Sequence, residues 1–168
     1  MAATKGTLKK PSEREAVAKG YLSTVKHMHS RGRLSRKELL CAAAASSGQL
    51  PLEELKAMRA ENFPWDWETC AIAARRGHLD VLRWAHENGC PWDEKTCEEA
   101  AERGDLKMLK WAHENGCPWD EKTCEKAAER GDLDVLQWAR KNGCPWNEKT
   151  CEEAAERGDL KMLKWAHE

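Results

Sequence analysis

A repeat of 27 residues runs through most of the chain and constrains its fold more than any other feature. Glycines recur at this interval, together with one cysteine series and two tryptophan series. The segments 96–114 and 150–168 are identical over nineteen positions. Sequence periods of this length are typical of solenoids, in which each unit packs mainly against its neighbours. The chain is therefore predicted to be a stack of short units.

The same register extends into the N-terminal region, where the repeat has diverged. Gly48 follows a cysteine by seven residues and precedes a leucine by two, as Gly104 does, and Gly20 shares four offsets with Gly104. We therefore predict a basic, disordered tail over 1–11 and one domain of six units over 12–168. The units cover approximately 12–39, 40–68, 69–95, 96–122, 123–149 and 150–168, the last being incomplete.

Each unit is predicted to begin with a short helix that has one narrow face of small residues. In the unit 96–122 this face carries Cys97, Ala100, Ala101 and Gly104. Three charged residues are expected to point elsewhere, namely Glu98, Glu102 and Arg103. Thr96 and Glu99 have the spacing of a capping box, which predicts that the helix begins at Thr96. The small face would allow first helices of successive units to approach closely.

A second helix is predicted from Leu106 to Asn115, with an apolar arc too wide for a helix that is covered on one side only. Gly116 is expected to end this helix in the left-handed conformation, and Cys117 to fold back on its last turn. Pro118 prevents the helix from continuing.

These residues resemble ankyrin repeats. The segments "AARRGHLDVLRWAHENG" at 73–89 and "AAERGDLKMLKWAHENG" at 100–116 are similar to the ankyrin pattern A-A-x-x-G-(H/D)-L-x-x-(V/L). The repeat is 27 residues long instead of about 33, and "TCEEAA" replaces the ankyrin opening T-P-L-H-x-A. The closest resemblance is to short ankyrin-like repeats that contain C-P-W-D. It implies an all-α, ankyrin-like solenoid with shortened hairpin loops.

The resemblance also implies a non-enzymatic scaffold for protein–protein interaction, without catalytic residues or a cofactor. A structural or consensus-designed array with no specific natural partner is the alternative, because the units 96–122 and 123–149 share twenty of twenty-seven residues. Thiol-based binding of a metal or haem is a lesser alternative.

The histidines and cysteines are the residues on which such chemistry would depend. His86, Cys90 and Cys97 offer three ligands per unit, but structural zinc requires four, and Arg140 replaces the histidine in a later unit. Cys-Pro dipeptides resemble haem regulatory motifs, although the proline already serves to stop a helix. A thiolate activated by histidine would also need an orienting group and a pocket. We expect the cysteines to be small buried apolar residues.

The charge and the cysteine content limit which partners and which cellular compartment are expected for the protein. The formal net charge is −1, yet residues 1–40 carry +7 and the remainder −8. A basic end alone, without a nucleic-acid module, makes nucleic acid an unfavoured partner. No segment has the length and apolarity of a membrane span or a secretory signal, so eight cysteines indicate a reducing compartment. We expect an intracellular, cytoplasmic protein, with the nucleus as a further possibility.

A protein partner is expected on the diverged early units, within residues 12–90, because contact positions of binding solenoids differ between units. Seven residues are candidates for partner binding: Arg33, Arg36, Trp65, Trp67, Arg75, Arg76 and Trp92. The tryptophans of the turns are expected to pack between neighbouring turns in preference to contacting a partner, and Trp67 is predicted to be exposed. The last unit lacks a polar cap, which predicts end-to-end self-association.

Overall fold

In a computed structural model, Arg31 and residues 38–46 and 51–167 are described, and this part of the chain contains ten α-helices and no strand. The helices are α1 (Glu38–Ala45), α2 (Pro51–Ala60), α3 (Trp67–Arg76), α4 (Leu79–Glu87), α5 (Glu94–Arg103), α6 (Leu106–Glu114), α7 (Glu121–Arg130), α8 (Leu133–Lys141), α9 (Glu148–Glu156) and α10 (Leu160–His167).

The helices form two layers. The odd-numbered helices, here the first-helix layer, each pack against the next odd-numbered helix along the stack. The even-numbered helices, here the second-helix layer, each pack against the first helix of their own unit. This arrangement confirms the predicted all-α stack of helical hairpins in sequence order. The predicted unit around Gly20 lies outside the described residues.

The first helix of each unit begins earlier than the sequence pattern suggested. The N-cap of α5 is Asp93, whose side chain accepts a hydrogen bond from the Lys95 N–H at 3.1 Å. Thr96 lies inside the helix, is fully buried, and its hydroxyl has no hydrogen-bond partner in the described part of the chain. Glu99 forms an ion pair with Arg75. The predicted capping box of Thr96 and Glu99 is therefore wrong, because aspartate and threonine are both good N-caps and the aspartate comes first.

The turn after the second helix has the predicted geometry. Gly116 adopts a φ of 84°, and its N–H donates to the His113 carbonyl at 3.0 Å. The Cys117 N–H donates to the Ala112 carbonyl, also at 3.0 Å, and the Cys117 side chain is buried. These two bonds define a Schellman motif, which satisfies carbonyls that the end of the helix would otherwise leave unpaired.

The diverged unit 40–68 makes the same turn with different residues. Asn62 has a φ of 58° at the position that glycine occupies in later units. Phe63 then takes the place of the cysteine, is fully buried, and donates its N–H to the Met58 carbonyl at 3.1 Å. Asparagine is the residue other than glycine that most readily adopts this conformation. The turn is thus maintained although its sequence is not.

The core is continuous along the stack. Small residues of the first helices, among them Ala100 and Ala101, are fully buried between neighbouring helices. Met108, Leu109 and Ala112 of α6 are also fully buried, as the wide apolar arc predicted. The second-helix tryptophans pack against this core and remain partly accessible.

Candidate functional site

An apolar depression lies on α3, in the first-helix layer. Trp67 is 41% exposed, Ile72 is half-buried, and Ala71 lies buried between them. With Arg75 and Lys95 they border a cavity of about 220 Å³, which we call the Trp67 notch. The prediction that Trp67 is exposed is confirmed.

The equivalent surface of the later units is charged. Glu94 and Glu99 of α5 occupy the positions that Trp67 and Ile72 occupy in α3. The units of α7 and α9 likewise carry only glutamate and lysine at these two positions. The notch is therefore specific to one unit. Ile72 was not among the predicted binding residues, although comparison of the units at this position would have identified it.

Two ion pairs, one between units and one within a unit, neutralise the carboxylates beside the notch. The Arg75 Nε donates to Glu99 Oε2 at 2.8 Å, and the Glu99 side chain is only 2% accessible. Lys95 Nζ lies 2.6 Å from a carboxylate oxygen of Glu98, which is also buried. The expectation that Glu98 points away from the packed face is therefore wrong. A buried carboxylate needs such partners because desolvation of its charge is costly.

The pair also fixes the guanidinium of Arg75. The hydrogen bond with Glu99 raises the pKa of Arg75 above its ordinary value. The Arg75 side chain remains 58% accessible, so it can still contact a partner from the rim of the notch. Arg76, the next residue, is exposed. Arg33 and Arg36 lie outside the described residues.

Trp65 and Trp92 belong to a ladder of aromatic rings along the turns. Trp92 stacks on His86 of its own unit, with 3.8 Å between ring centroids, and meets Trp111 of the next unit edge-on at 5.8 Å. Trp65 meets Trp84 edge-on at 5.9 Å. Both turn tryptophans are half-buried, and the rings they contact belong to second helices, whereas the sequence predicted packing between neighbouring turns. Their contact with a partner remains a prediction.

The residue that stacks on each turn tryptophan differs between units. Arg59 lies 4.1 Å from the Trp65 ring centroid, and Arg140 lies 4.5 Å from that of Trp146. His86 occupies the equivalent position in its unit. Planar arginine and histidine side chains can both stack on an indole, whereas arginine does not ligate zinc. Stacking therefore explains the substitution at this position.

The cysteines join neighbouring units through their thiols. The Cys117 Sγ donates to the Asp93 carbonyl at 3.4 Å, and Cys90 and Cys144 make the equivalent bond in their units. A hydrogen bond with Cys97 and burial raise the pKa of Cys117, and burial raises the pKa of Cys41 to about 12. All eight thiols are free, and seven are buried.

The described residues bring no three histidine, cysteine or acidic side chains together as metal ligands. His86 is stacked on Trp92, Cys90 is bonded to the Asp66 carbonyl, and Cys97 lies beside Cys117. The three side chains that the sequence offered as a ligand set thus have separate roles. In the part of the chain that the structure describes, no helix has the length and apolarity needed to cross a membrane.

Comparisons with known proteins bear on the fold. No family model matches the sequence, and no curated protein matches it. The crystal structure of the human ASB11 ankyrin repeat domain is similar to this chain, with a TM-score of 0.64 at 14% sequence identity. The match covers 92% of this chain and 81% of that one. It confirms the predicted resemblance at the level of architecture: the chain has the ankyrin-repeat fold, built here from shortened units.

Proposed function

We propose that the protein is a non-enzymatic scaffold that binds another protein through the Trp67 notch. The ankyrin-repeat fold is typically an interaction module. The observation that carries the proposal is the exposed indole of Trp67 beside Ile72, on a layer whose later units carry charges at both positions. A large aromatic side chain bordered by an arginine is the composition typical of an interface anchor.

The rim of the notch supports recognition of a peptide with mixed charge. Arg75 and Lys95 provide cations, and Glu68 provides a carboxylate on the same side. A partner that buries an apolar side chain against Trp67 and Ile72 can form ion pairs at this rim. Rim charges contribute mainly to the rate of association and to specificity.

The test compares capture of a partner by the wild-type chain with capture by the double variant Trp67→Glu/Ile72→Glu. Glutamates stand at the equivalent positions of the next unit, as Glu94 and Glu99, and Ile72 is only half-buried, so a carboxylate there stays in contact with water and the variant is expected to fold. A protein cross-linked to the wild-type chain should be lost from the variant. Equal capture by both chains would exclude the notch, and failure of the wild-type chain to retain any protein would favour an array without a specific partner.

We also propose end-to-end self-association through the last unit. Leu160 is 69% exposed, and Leu163 and Trp165 beside it are half-buried. Exposed apolar surface of this kind favours association with a second copy. Sedimentation should show concentration-dependent mass that Leu160→Glu abolishes; a monomer at all concentrations would contradict the proposal.

The free thiols support a location in a reducing compartment, either the cytoplasm or the nucleus. The pairs Cys70/Cys90 and Cys97/Cys117 lie side by side in the core without a disulfide. Stability that is unchanged by a reducing agent would agree with this location, whereas unfolding on reduction would contradict it.

A further inference from the structure

The second-helix layer contains a groove that the proposed function does not use. It lies between α4 and α6 and has a volume of about 550 Å³. We call it the second-helix groove, and its lining residues are Arg83, Leu106, Lys107, Lys110, Trp111 and Glu114. Trp111 and Leu106 are half-buried and provide an apolar floor.

The cations of this groove differ from the lysines of the first helices in having no carboxylate partner. Lys95, Lys122, Lys126 and Lys149 each lie within ion-pairing distance of a glutamate. Among the described residues, no carboxylate lies at that distance from Arg83, Lys107 or Lys110. Their charges are thus available to a ligand.

The indole at the floor of the groove lies next to one of these cations. The Arg83 guanidinium carbon lies 5.5 Å from the ring centroid of Trp111. An acidic side chain that pairs with Arg83 therefore brings its neighbours close to the indole, where an apolar residue can be buried. Arginine and tryptophan together are enriched among the residues that dominate binding energy.

We propose that the second-helix groove binds an acidic segment of a partner protein, with an apolar side chain of that segment seated on Trp111. Charge complementarity selects this occupant. The groove has three unpaired cations against the single carboxylate of Glu114. Three cations are few for a nucleic acid, whose binding depends on many phosphate contacts.

The neighbouring unit provides a natural comparison. Between α6 and α8, Asp134 and Gln137 stand at the positions of Lys107 and Lys110, beside an equivalent tryptophan, Trp138. Lys141 also stands at the position of Glu114, so the second surface has two cations and one carboxylate where the first has three cations and one carboxylate. The proposal therefore expects tighter binding of an acidic segment at the first surface than at the second.

The test uses a fluorescein-labelled peptide of twelve residues, with glutamates around one central phenylalanine, and a counterpart in which glutamine replaces every glutamate. Fluorescence anisotropy should give binding of the glutamate peptide at least about fivefold tighter than that of its counterpart, with affinity falling as salt is raised. Equal binding of the two peptides would overturn the proposal.

Variants that exchange residues between units locate the site. Lys107→Asp/Lys110→Gln copies the residues of α8 and should weaken binding by about tenfold. Asp134→Lys/Gln137→Lys should create a second binding site. Lys122→Gln, at an exposed position of α7 that borders neither the groove nor the Trp67 notch, lowers the net charge and should leave peptide affinity unchanged.

These outcomes separate this proposal from the proposed function. Unchanged peptide affinity in Lys107→Asp/Lys110→Gln would exclude binding at the second-helix groove. It would leave the proposal for the Trp67 notch unaffected. A single-stranded DNA of twelve nucleotides serves as a further probe. Tighter binding of this DNA than of the glutamate peptide, lost in the same variant, would assign the groove to nucleic acid and overturn the proposal.

Discussion

The two layers of the stack are built from different chemistry, although they belong to the same hairpins. In the first-helix layer, small side chains such as Ala100 and Ala101 allow close packing, and the buried carboxylates of Glu98 and Glu99 are neutralised by neighbouring cations. In the second-helix layer, half-buried indoles fill the space between units, and several cations remain unpaired. The comparison teaches that the first layer neutralises its buried carboxylates, whereas the second leaves the cations of one groove for a partner.

The largest effect is expected from removing an indole of the second-helix layer. Trp111→Ala removes the ring that contacts both Trp92 and His86, and should lower the free energy of unfolding by about 3 kcal/mol. Lys107→Ala on the same helix is exposed and should change it by less than about 0.5 kcal/mol. Urea denaturation measures both values. Similar losses for the two variants would contradict a structural role for the ladder.

Substitutions at two glycines with the same backbone conformation allow the packing at the helix ends of the two layers to be compared. Gly104, at the end of a first helix, has a φ of 75°, and an added Cβ would lie 2.3 Å from Arg130 Nε and 2.8 Å from Asp132 Oδ2. Gly116, at the end of a second helix, has a φ of 84° and no atom within 4 Å of such a Cβ. Gly116→Ala should therefore cost only the left-handed conformation, about 1–2 kcal/mol.

Gly104→Ala should cost more than Gly116→Ala, because it also displaces the side chains of the next unit. Thermal denaturation of the two variants gives the difference. Equal melting temperatures would mean that Arg130 moves aside freely, and that the first helices are packed less tightly at their ends than the distances indicate.

Replacement of the stacked histidine tests whether the aromatic ladder needs an imidazole. His113 stacks on Trp119 at 3.9 Å, and Arg140 takes the equivalent place over Trp146. His113→Ala should lower the free energy of unfolding by about 1 kcal/mol through lost stacking. His113→Arg should be neutral within about 0.5 kcal/mol. A large loss in the arginine variant would indicate that histidine has a separate role.

The smallest effect is expected from the buried threonines of the first-helix layer. Thr123 is fully buried, and its hydroxyl has no hydrogen-bond partner among the described residues. Thr123→Val keeps the shape of the side chain and removes the unsatisfied hydroxyl, so it should stabilise the protein by up to about 1 kcal/mol. Chemical denaturation against the wild type checks this. A clear loss of stability would show that the hydroxyl makes an interaction in solution.

The repeat predicted the architecture because several of its residues determine the backbone conformation at their own positions. Gly116 and Cys117 specify a helix end whatever their neighbours do, and both adopt the predicted geometry. The start of the first helix was mispredicted, because Asp93 and Thr96 compete as N-caps and only packing places Thr96 in the interior. The residues around the start of the helix do not by themselves predict that packing.

The candidate surfaces were predicted less completely, for a physical reason. The exposure of Trp67 follows from its place on a helix face, which the period gives. The ion pair between Arg75 and Glu99 joins residues of different units. Contacts across units depend on the offset between adjacent hairpins, which a repeated sequence does not encode in any single copy.

The edge-on tryptophan pairs have an optical consequence. Three successive pairs, Trp92/Trp111, Trp119/Trp138 and Trp146/Trp165, have centroid separations of 5.7–5.8 Å and interplanar angles of 63–65°. Indoles this close couple their electronic transitions, and because every pair has similar geometry, the resulting circular dichroism adds along the chain instead of cancelling. The protein thus carries an intrinsic exciton signal that reports how many hairpins are docked, without any external dye.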